Sequence, residues 1–332
     1  MRVVKDREQL ADALRTSKSE TRNAFGDDRV YIEKYLQHPR HIEIQVLADG
    51  AGNTIFLGER ECSIQRRHQK VMEETPSPIV DESLRTEMGR AAVRLVRSVG
   101  YRNAGTVEFL VDEHKKFYFL EVNTRLQVEH PVTELVTGID LVRQQILISD
   151  GHELSLTQDE VSRRGHAIEC RICAEDPENN FFPSTGILKR YSPPHGPRVR
   201  VDSGFCEGDS VTIFYDPLMA KVITWGQNRY EAIDGMRRAL EEFTIQGVES
   251  TIPFCLSVLS NERFRRGEFD TSFVDEEFNP AVFHATSERR EIAASVAAVL
   301  IQAGARQQKA AITDHQDGEQ SAWKKQRLES HH

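Results

Sequence analysis

The stretch from Gly105 to Asn123 constrains this chain more than any other. Apolar and polar residues alternate on either side of a polar break, Asp112-Glu-His-Lys-Lys116, which is the pattern of a β-hairpin. With the loop at Glu113–Lys116, Asp112 faces Phe117 and Glu108 falls directly opposite Glu121. One face then carries Val107, Phe109, Val111, Tyr118, Leu120 and Val122, and must be core. The other carries Leu110 and Phe119, then Glu108 and Glu121, with Asn123 two residues further on. Directly opposed like charges, their Cβ atoms about 5 Å apart, destabilise a strand pair. Leu110 and Phe119 beside them lower the local dielectric and sharpen the repulsion. A divalent cation removes the conflict, and hard oxygen ligands suit Mg²⁺ with phosphate completing its shell. Two solvated glutamates on an open sheet face and a two-carboxylate acid/base pair are the other readings, and the register decides between them.

Just beyond lie Arg125, Gln127 and Glu129, spaced by two. In an extended segment they share a face. Arginine offers a bidentate fork for a small oxyanion, and a glutamate beside it can act as a base. A surface salt-bridge ladder is the alternative.

Elsewhere local signals mark out the elements. The opening reads as strand Arg2–Val4, helix Asp6–Ala24 with Asp6 as N-cap and Gly26 as its stop, and strand Arg29–Glu33. His41–Ala48 alternates, Asp49-Gly50 turns, and Thr54–Leu57 returns. Glu61–Glu74 has no clean period, and Pro76 and Pro78 close it. Leu84, Met88, Ala91, Ala92, Leu95, Val96 and Val99 form one helical stripe stopped by Gly100. Ile139–Ser149 is a further helix. After about Arg164 come short strands, Gly165–Cys173, Gly186–Tyr191, Arg198–Val201, Ser210–Tyr215 and Lys221–Trp225. Helices Asn228–Phe243 and Thr251–Leu259 follow, the first with an Asn228/Glu231 capping box. A domain boundary is placed near 151–164. Arg290–Ala303 reads as helix and 307–332 as a polar tail.

Composition narrows the classes. The 332 residues carry a net charge of −9, an unfavourable balance for a general nucleic-acid binder. No apolar run approaches the ~20 residues of a membrane helix, and the opening Met-Arg-Val-Val-Lys-Asp lacks the apolar core of a signal peptide. Five cysteines without framework spacing point to a reducing compartment, hence the cytoplasm. Cys170 and Cys173 form a CxxC, but in a strand they point to opposite faces, and no second pair exists for zinc, so they read as structural.

Several longer motifs resemble the biotin carboxylases, ATP-grasp ligases of acetyl-CoA, propionyl-CoA and pyruvate carboxylases. They are Glu33-Lys-Tyr-Leu36, Pro39-Arg-His41-Ile-Glu-Ile-Gln45, Glu61-Cys-Ser-Ile-Gln65-Arg-Arg-His68-Gln-Lys70 and Glu121-Val-Asn-Thr-Arg-Leu-Gln-Val-Glu-His-Pro131. Arg164-Gly-His-Ala-Ile-Glu-Cys-Arg171-Ile-Cys-Ala-Glu-Asp-Pro177 and Tyr215-Asp-Pro-Leu-Met-Ala-Lys221 resemble the family's C-terminal domain. The resemblance covers roughly Met1 to Phe278. It implies an α+β chain: the second half of an ATP-grasp fold over 1–150, the biotin carboxylase C-terminal domain over 151–278, and a helical and polar tail over 279–332.

The resemblance also implies roles. Glu33, Lys34 and Leu36 hold the adenine edge; His41, Gln65 and His68 contact the nucleotide; Leu110 packs on its base. Glu108, Glu121 and Asn123 bind Mg²⁺ or Mn²⁺. Lys70, Arg125, Gln127 and the Val128 backbone hold bicarbonate, and Glu129 deprotonates it for attack on the γ-phosphate of ATP. Arg171 steadies the biotin enolate. The implied reaction carboxylates biotin on a separate carrier protein through carboxyphosphate, ahead of a carboxyltransferase subunit. The family's enzymes are homodimers, and its acetyl-CoA carboxylases serve fatty acid biosynthesis. Another ATP-grasp ligase, of carbamoyl-phosphate or purine-pathway type, is the first alternative; a catalytically inactive chain that only binds partners is the second. Family members carry an N-terminal domain, two nucleotide-contacting lysines and a glycine-rich lid ahead of the point where this resemblance starts, and no Gly-rich phosphate loop or biotinylation motif appears here. The expectation is therefore a C-terminal portion that, by itself, binds Mg-ATP weakly and does not carboxylate biotin.

Overall fold

A computed structural model of the chain describes residues 2–280 and, further along, 292, 295–300 and 302. Those last residues are helical and fall inside the expected helix Arg290–Ala303, whereas the expected tail over 307–332 lies outside the described residues. Two compact units separate, residues 1–175 with 183–278 and residues 176–182 with 279–332. The first holds everything discussed below.

Its frame is an eight-stranded sheet. The strands are β1 (Arg40–Ala48), β2 (Thr54–Arg66), β3 (Gln69–Thr75), β4 (Asn103–Val111), β5 (Phe117–Asn123), β6 (His166–Cys173), β7 (Val199–Ser203) and β8 (Leu218–Gly226). They lie in the order β7-β8-β6-β3-β2-β1-β4-β5, every neighbouring pair antiparallel. The sheet therefore runs across the expected boundary near 151–164: β3 pairs with β6 from Met72↔Cys170 to Thr75↔Ala167.

Helices cover it where apolar stripes meet apolar strand faces. The first helix of the chain, α1 (Arg7–Phe25), begins at Asp6 and ends at Gly26 as expected, but no residue of it is buried. In α2 (Glu82–Ser98), Asp81 accepts the Leu84 N–H and caps the first turn. Its Leu84, Met88, Ala92 and Val96 then bury against Ile42, Ile44, Val46, Val107, Phe109 and Val111. Two short helices, α3 (His130–Thr137) and α4 (Leu141–Ser149), follow β5. Leu141 and Ile148 of α4 pack with Leu47, Ile55, Leu57 and Ala104, while Val132 and Val136 of α3 pack with Ala167 and Ile223. Asn228 caps the helix Arg229–Glu242 through the Glu231 N–H, as its spacing predicts. Gly165, at the entry to β6, has φ +71°, and a Cβ there would sit 2.3 Å from the Gly226 carbonyl oxygen, so only glycine fits.

Other expectations need correction. Arg2–Val4 and Arg29–Glu33 are irregular, because neither finds a partner strand to share hydrogen bonds with among the described residues. The strand expected at Thr54–Leu57 continues to Arg66, and Glu61–Glu74 is a hairpin whose two-residue tip, Arg67-His68, has both φ values positive (49° and 66°). The strand expected over Ser210–Tyr215 stops at Val211.

The Gly105–Asn123 hairpin keeps its expected pairing only at one end. Thr106↔Asn123, Val107↔Val122 and Glu108↔Glu121 hold, but a bulge then shifts the register to Phe109↔Phe119 and Leu110↔Tyr118. Its loop is one residue shorter than expected: Asp112 N–H donates to the Lys116 carbonyl at 2.9 Å, and Lys115 takes φ +60°. The bulge absorbs the difference. Tyr118 therefore leaves the core face for the side of Leu110, while Phe117 joins Phe109 edge to face, with ring centroids 5.4 Å apart.

Candidate active site

The polar heart of the molecule is a lattice of buried charges on β1 to β4 and β6. Arg60 on β2 is fully buried and donates to Glu43, to Gln45 Oε1 at 2.7 Å, to Thr133 Oγ1 at 3.0 Å and to Gln127 Oε1 at 2.8 Å. Lys70 on β3 reaches three carboxylates, Glu43 Oε2 at 2.5 Å, Glu108 Oε1 at 2.8 Å and Glu129 Oε1 at 2.8 Å. Burial by itself would pull the Lys70 ammonium down; the three carboxylates outweigh it and hold it well above the usual lysine range. Burial likewise works against ionised Glu43, but Arg60 and Lys70 prevail and hold its carboxyl at about 2. Glu108 is held at about 2 in the same way: burial opposes, and His41 and Lys70 overcome it.

The pair that organised the sequence is present. Glu108 and Glu121 lie opposite each other, and Asn123 Nδ2 donates to Glu108 Oε1 at 2.9 Å and to Glu121 Oε1 at 3.5 Å. The two carboxylates thus converge on one amide, whose oxygen and nitrogen exchange places on rotation. Glu121 is exposed, which leaves room for phosphate oxygens and water. These hard oxygen donors fit Mg²⁺ or Mn²⁺.

Around Glu108, Gln127 Nε2 donates to Oε1 at 2.8 Å and His41 Nε2 stands 2.7 Å from Oε2. Gln65 Nε2 lies 2.7 Å from His41 Nδ1. Glu129 is the N-cap residue of α3 and is buried; its second oxygen accepts from Arg171 at 2.9 Å, and Arg171 Nε donates to Glu73 Oε1 at 2.7 Å. Lys221 on β8 donates to the Val128 carbonyl at 2.6 Å.

The extended segment expected at Arg125–Glu129 is instead a bend that runs into α3, so its three side chains do not share a face. Gln127 and Glu129 turn inward. Arg125 is exposed and donates to the Leu126 carbonyl and to Asn123 Oδ1. His68 sits exposed at the β2–β3 tip. Glu33, Lys34 and Leu36 lie on the irregular stretch before β1; Lys34 reaches β5, donating to the Tyr118 hydroxyl at 3.2 Å, while Glu33 is exposed and Leu36 half-buried. Leu110 faces Tyr118 across β4–β5 and His41 across β4–β1. Cys170 and Cys173 are free thiols, Cys170 buried beside Cys255.

Glu43, Arg60, Glu73 and Glu169 were not singled out in the sequence. For Glu43 a signal existed, since His41, Glu43 and Gln45 alternate on one face of β1. For the others none did, because their partners lie on neighbouring strands that are far away along the chain.

Fold and site together are those of an ATP-grasp half, with a pair of facing carboxylates, continued into a second strand-rich region. Two family models match, "Carbamoyl-phosphate synthase L chain, ATP binding domain" over residues 1–157 and "Biotin carboxylase C-terminal domain" over residues 169–276. Biotin carboxylase 1 of Bacillus subtilis is 54% identical over 276 residues, covering 83% of this chain and 61% of that protein. A pyruvate carboxylase subunit of Methanothermobacter thermautotrophicus is 54% identical over 276 residues, 83% of this chain and 56% of its own length. Among solved structures, the biotin carboxylase domain dimer of the Hydrogenobacter thermophilus 2-oxoglutarate carboxylase, in complex with MgADP, ADP and bicarbonate, superposes with a TM-score of 0.79 at 44% identity, covering 83% of this chain and 61% of that one. The chain belongs to the biotin carboxylase family, with the α+β fold of the second half of an ATP-grasp domain followed by the biotin carboxylase C-terminal domain. It spans 61% and 56% of the length of the two curated relatives. Among the described residues, no helix is long and apolar enough to cross a membrane.

Proposed function

We propose that this chain takes part in the ATP- and bicarbonate-dependent carboxylation of biotin carried on a separate carrier protein. The observation that carries the reading is the convergence of Lys70, Glu108, Glu129 and Arg171: a candidate base held between two cations, next to a carboxylate pair suited to a divalent ion. Glu108, Glu121 and Asn123 would hold a divalent cation, which would neutralise charge on the nucleotide phosphates. Lys70, Gln127, the Val128 backbone and the outward fork of Arg125 bind bicarbonate. Glu129 accepts its proton as the oxyanion attacks the γ-phosphate and ADP leaves, giving carboxyphosphate, whose breakdown to phosphate releases CO₂. Arg171 steadies the biotin enolate that takes up CO₂. His41, Gln65, His68, Leu110, Glu33, Lys34 and Leu36 line the nucleotide side. The division into 1–150, 151–278 and 279–332 belongs to the same reading, as do a biotin carboxyl carrier protein, a carboxyltransferase subunit and a homodimer as partners, and a cytoplasmic setting. The name of the Methanothermobacter relative, a subunit of a carboxylase, and the ligands of the Hydrogenobacter domain support it.

The test is ¹³C-bicarbonate NMR on the purified chain. Line broadening that disappears in Arg125→Ala, an exposed and fold-neutral change, is expected; no broadening, or broadening indifferent to Arg125, overturns the bicarbonate site. Stimulation of bicarbonate-dependent ATP cleavage by free biotin separates this reading from other ATP-grasp ligases.

A further inference from the structure

Beneath the candidate base lies a second pair of facing carboxylates. Glu73 on β3 and Glu169 on β6 are directly paired across the sheet and point, with Arg171 two residues on from Glu169, to the face covered by α3. Both are buried to within 1% of complete. Glu73 gives one oxygen to Arg171 and leaves Oε2 without a partner; Glu169 has no hydrogen-bond partner on either oxygen. Two ionised carboxylates in that position would be opposed at about 5 Å between Cβ atoms with no water to screen them. One proton on Glu169 turns one of its oxygens into a donor for the unpartnered Glu73 Oε2 and removes one of the two opposed charges. We propose that Glu73 and Glu169 form a proton-sharing carboxyl pair, and that the anionic member, Glu73, is a positioning residue that holds Arg171 against Glu129.

The surroundings agree. Charged and titratable groups near the pair are Arg171 on the same strand as Glu169, Lys70 on β3, Lys221 on β8, Cys62 on β2, Cys170 on β6, and Glu129 at the start of α3. Burial pushes Glu169 well above the usual carboxylate range, with Glu73 adding to it; burial raises Glu73 as well, but Arg171 beside it pulls against that rise. Glu169 is thus the proton carrier at neutral pH. With one proton in the pair, a single negative charge on Glu73 matches the guanidinium, which stays shared with Glu129. A second charge would draw Arg171 away from it.

The inference about position rests on Glu129 being the base, but both measurements are made without turnover. Infrared spectra of the full chain, labelled with ¹³C-carboxyl glutamate, are expected to show a protonated, water-excluded carboxylic acid at neutral pH. That band should vanish in Glu169→Gln and persist in Glu61→Gln, which removes a different buried acid. Its absence from the wild type, or its survival in Glu169→Gln, overturns the shared proton. In ¹⁵N-arginine NMR, with Arg171 assigned by Arg171→Lys, the Nε–H is expected to exchange slowly in the wild type and in Glu169→Gln. It should exchange roughly tenfold faster in Glu73→Gln, where a neutral acceptor replaces a charged one. An unchanged rate in Glu73→Gln overturns the positioning role. Loss of biotin-dependent turnover in Glu129→Gln, or its retention, bears on the reading of the base and alters neither result.

Discussion

Replacing Lys70 with methionine keeps the aliphatic stem and removes the one ammonium that joins Glu43, Glu108 and Glu129. Arg60 still serves Glu43, Arg171 serves Glu129 and His41 serves Glu108, so the loss concentrates on one uncompensated charge. Stripping one partner from a buried ion pair costs about 3–5 kcal/mol. Protonating a carboxylate of ordinary pKa near 4.5 at pH 7 costs about 3.4 kcal/mol at 1.36 kcal/mol per unit, so proton uptake caps the loss near the lower end of that range. The sign follows from linkage: in the variant a folded carboxyl sits above its unfolded value, so the variant binds an extra proton on folding and regains stability as pH falls. Urea unfolding followed by circular dichroism should give a loss of about 3–4 kcal/mol at pH 7, shrinking to about 1 kcal/mol at pH 5. A loss below 1 kcal/mol at pH 7, or an equal loss at both pH values, would refute the reasoning.

Glu121→Gln should weaken Mg-nucleotide binding with little effect on stability, since Glu121 is exposed and the change relieves the opposed charges of the pair, whereas Glu108→Gln should weaken binding and also cost stability, because Lys70 and His41 lose a buried partner; calorimetry showing unchanged affinity in both would dismiss the cation site. In a full-length relative carrying the matching residues, Glu129→Gln should slow turnover about 10²–10⁴-fold with ATP affinity intact, read by radiolabelled bicarbonate fixation. In the same setting Arg171→Ala should harm biotin carboxylation more than biotin-independent ATP hydrolysis, and equal losses would contradict a biotin-specific role. Glu43, Glu74 and Glu108 are each held at about 2, so the stability they contribute is fully present above about pH 4.5 and is lost as pH falls towards 2; an acid titration of circular dichroism without a transition in that window would count against these ion pairs.

What was legible in the sequence was local. Asp6 and Asn228 announce helix starts, the Leu84–Val96 stripe announces a packed helix, and alternation places Glu108 opposite Glu121. The register error has a local cause: a three-residue loop closed by Lys115 at positive φ, where no glycine or asparagine marks it. The β2–β3 tip, Arg67-His68, hides for the same reason. The rest of the site is long-range. Arg171 meets Glu129 only because β6 pairs with β3, and nothing within either strand encodes that pairing. Glu43 and Arg60 look like ordinary polar positions in amphipathic strands until β1 and β2 are laid side by side.

The pairing of β3 with β6 has a consequence for anyone who would treat the two family-model regions as interchangeable cassettes. The seam in the sequence, between residues 157 and 169, is not a seam in the molecule. Severing the chain there and producing each piece by itself would strip β3 and β6 of their shared ladder. Each piece would then present a bare row of amides and carbonyls, a ready template for aggregation. A graft between relatives at this point succeeds only if the donor's β6 meets the recipient's β3 in the same register, because a slip of one residue turns Glu169 and Arg171 outward and Cys170 into the charged layer.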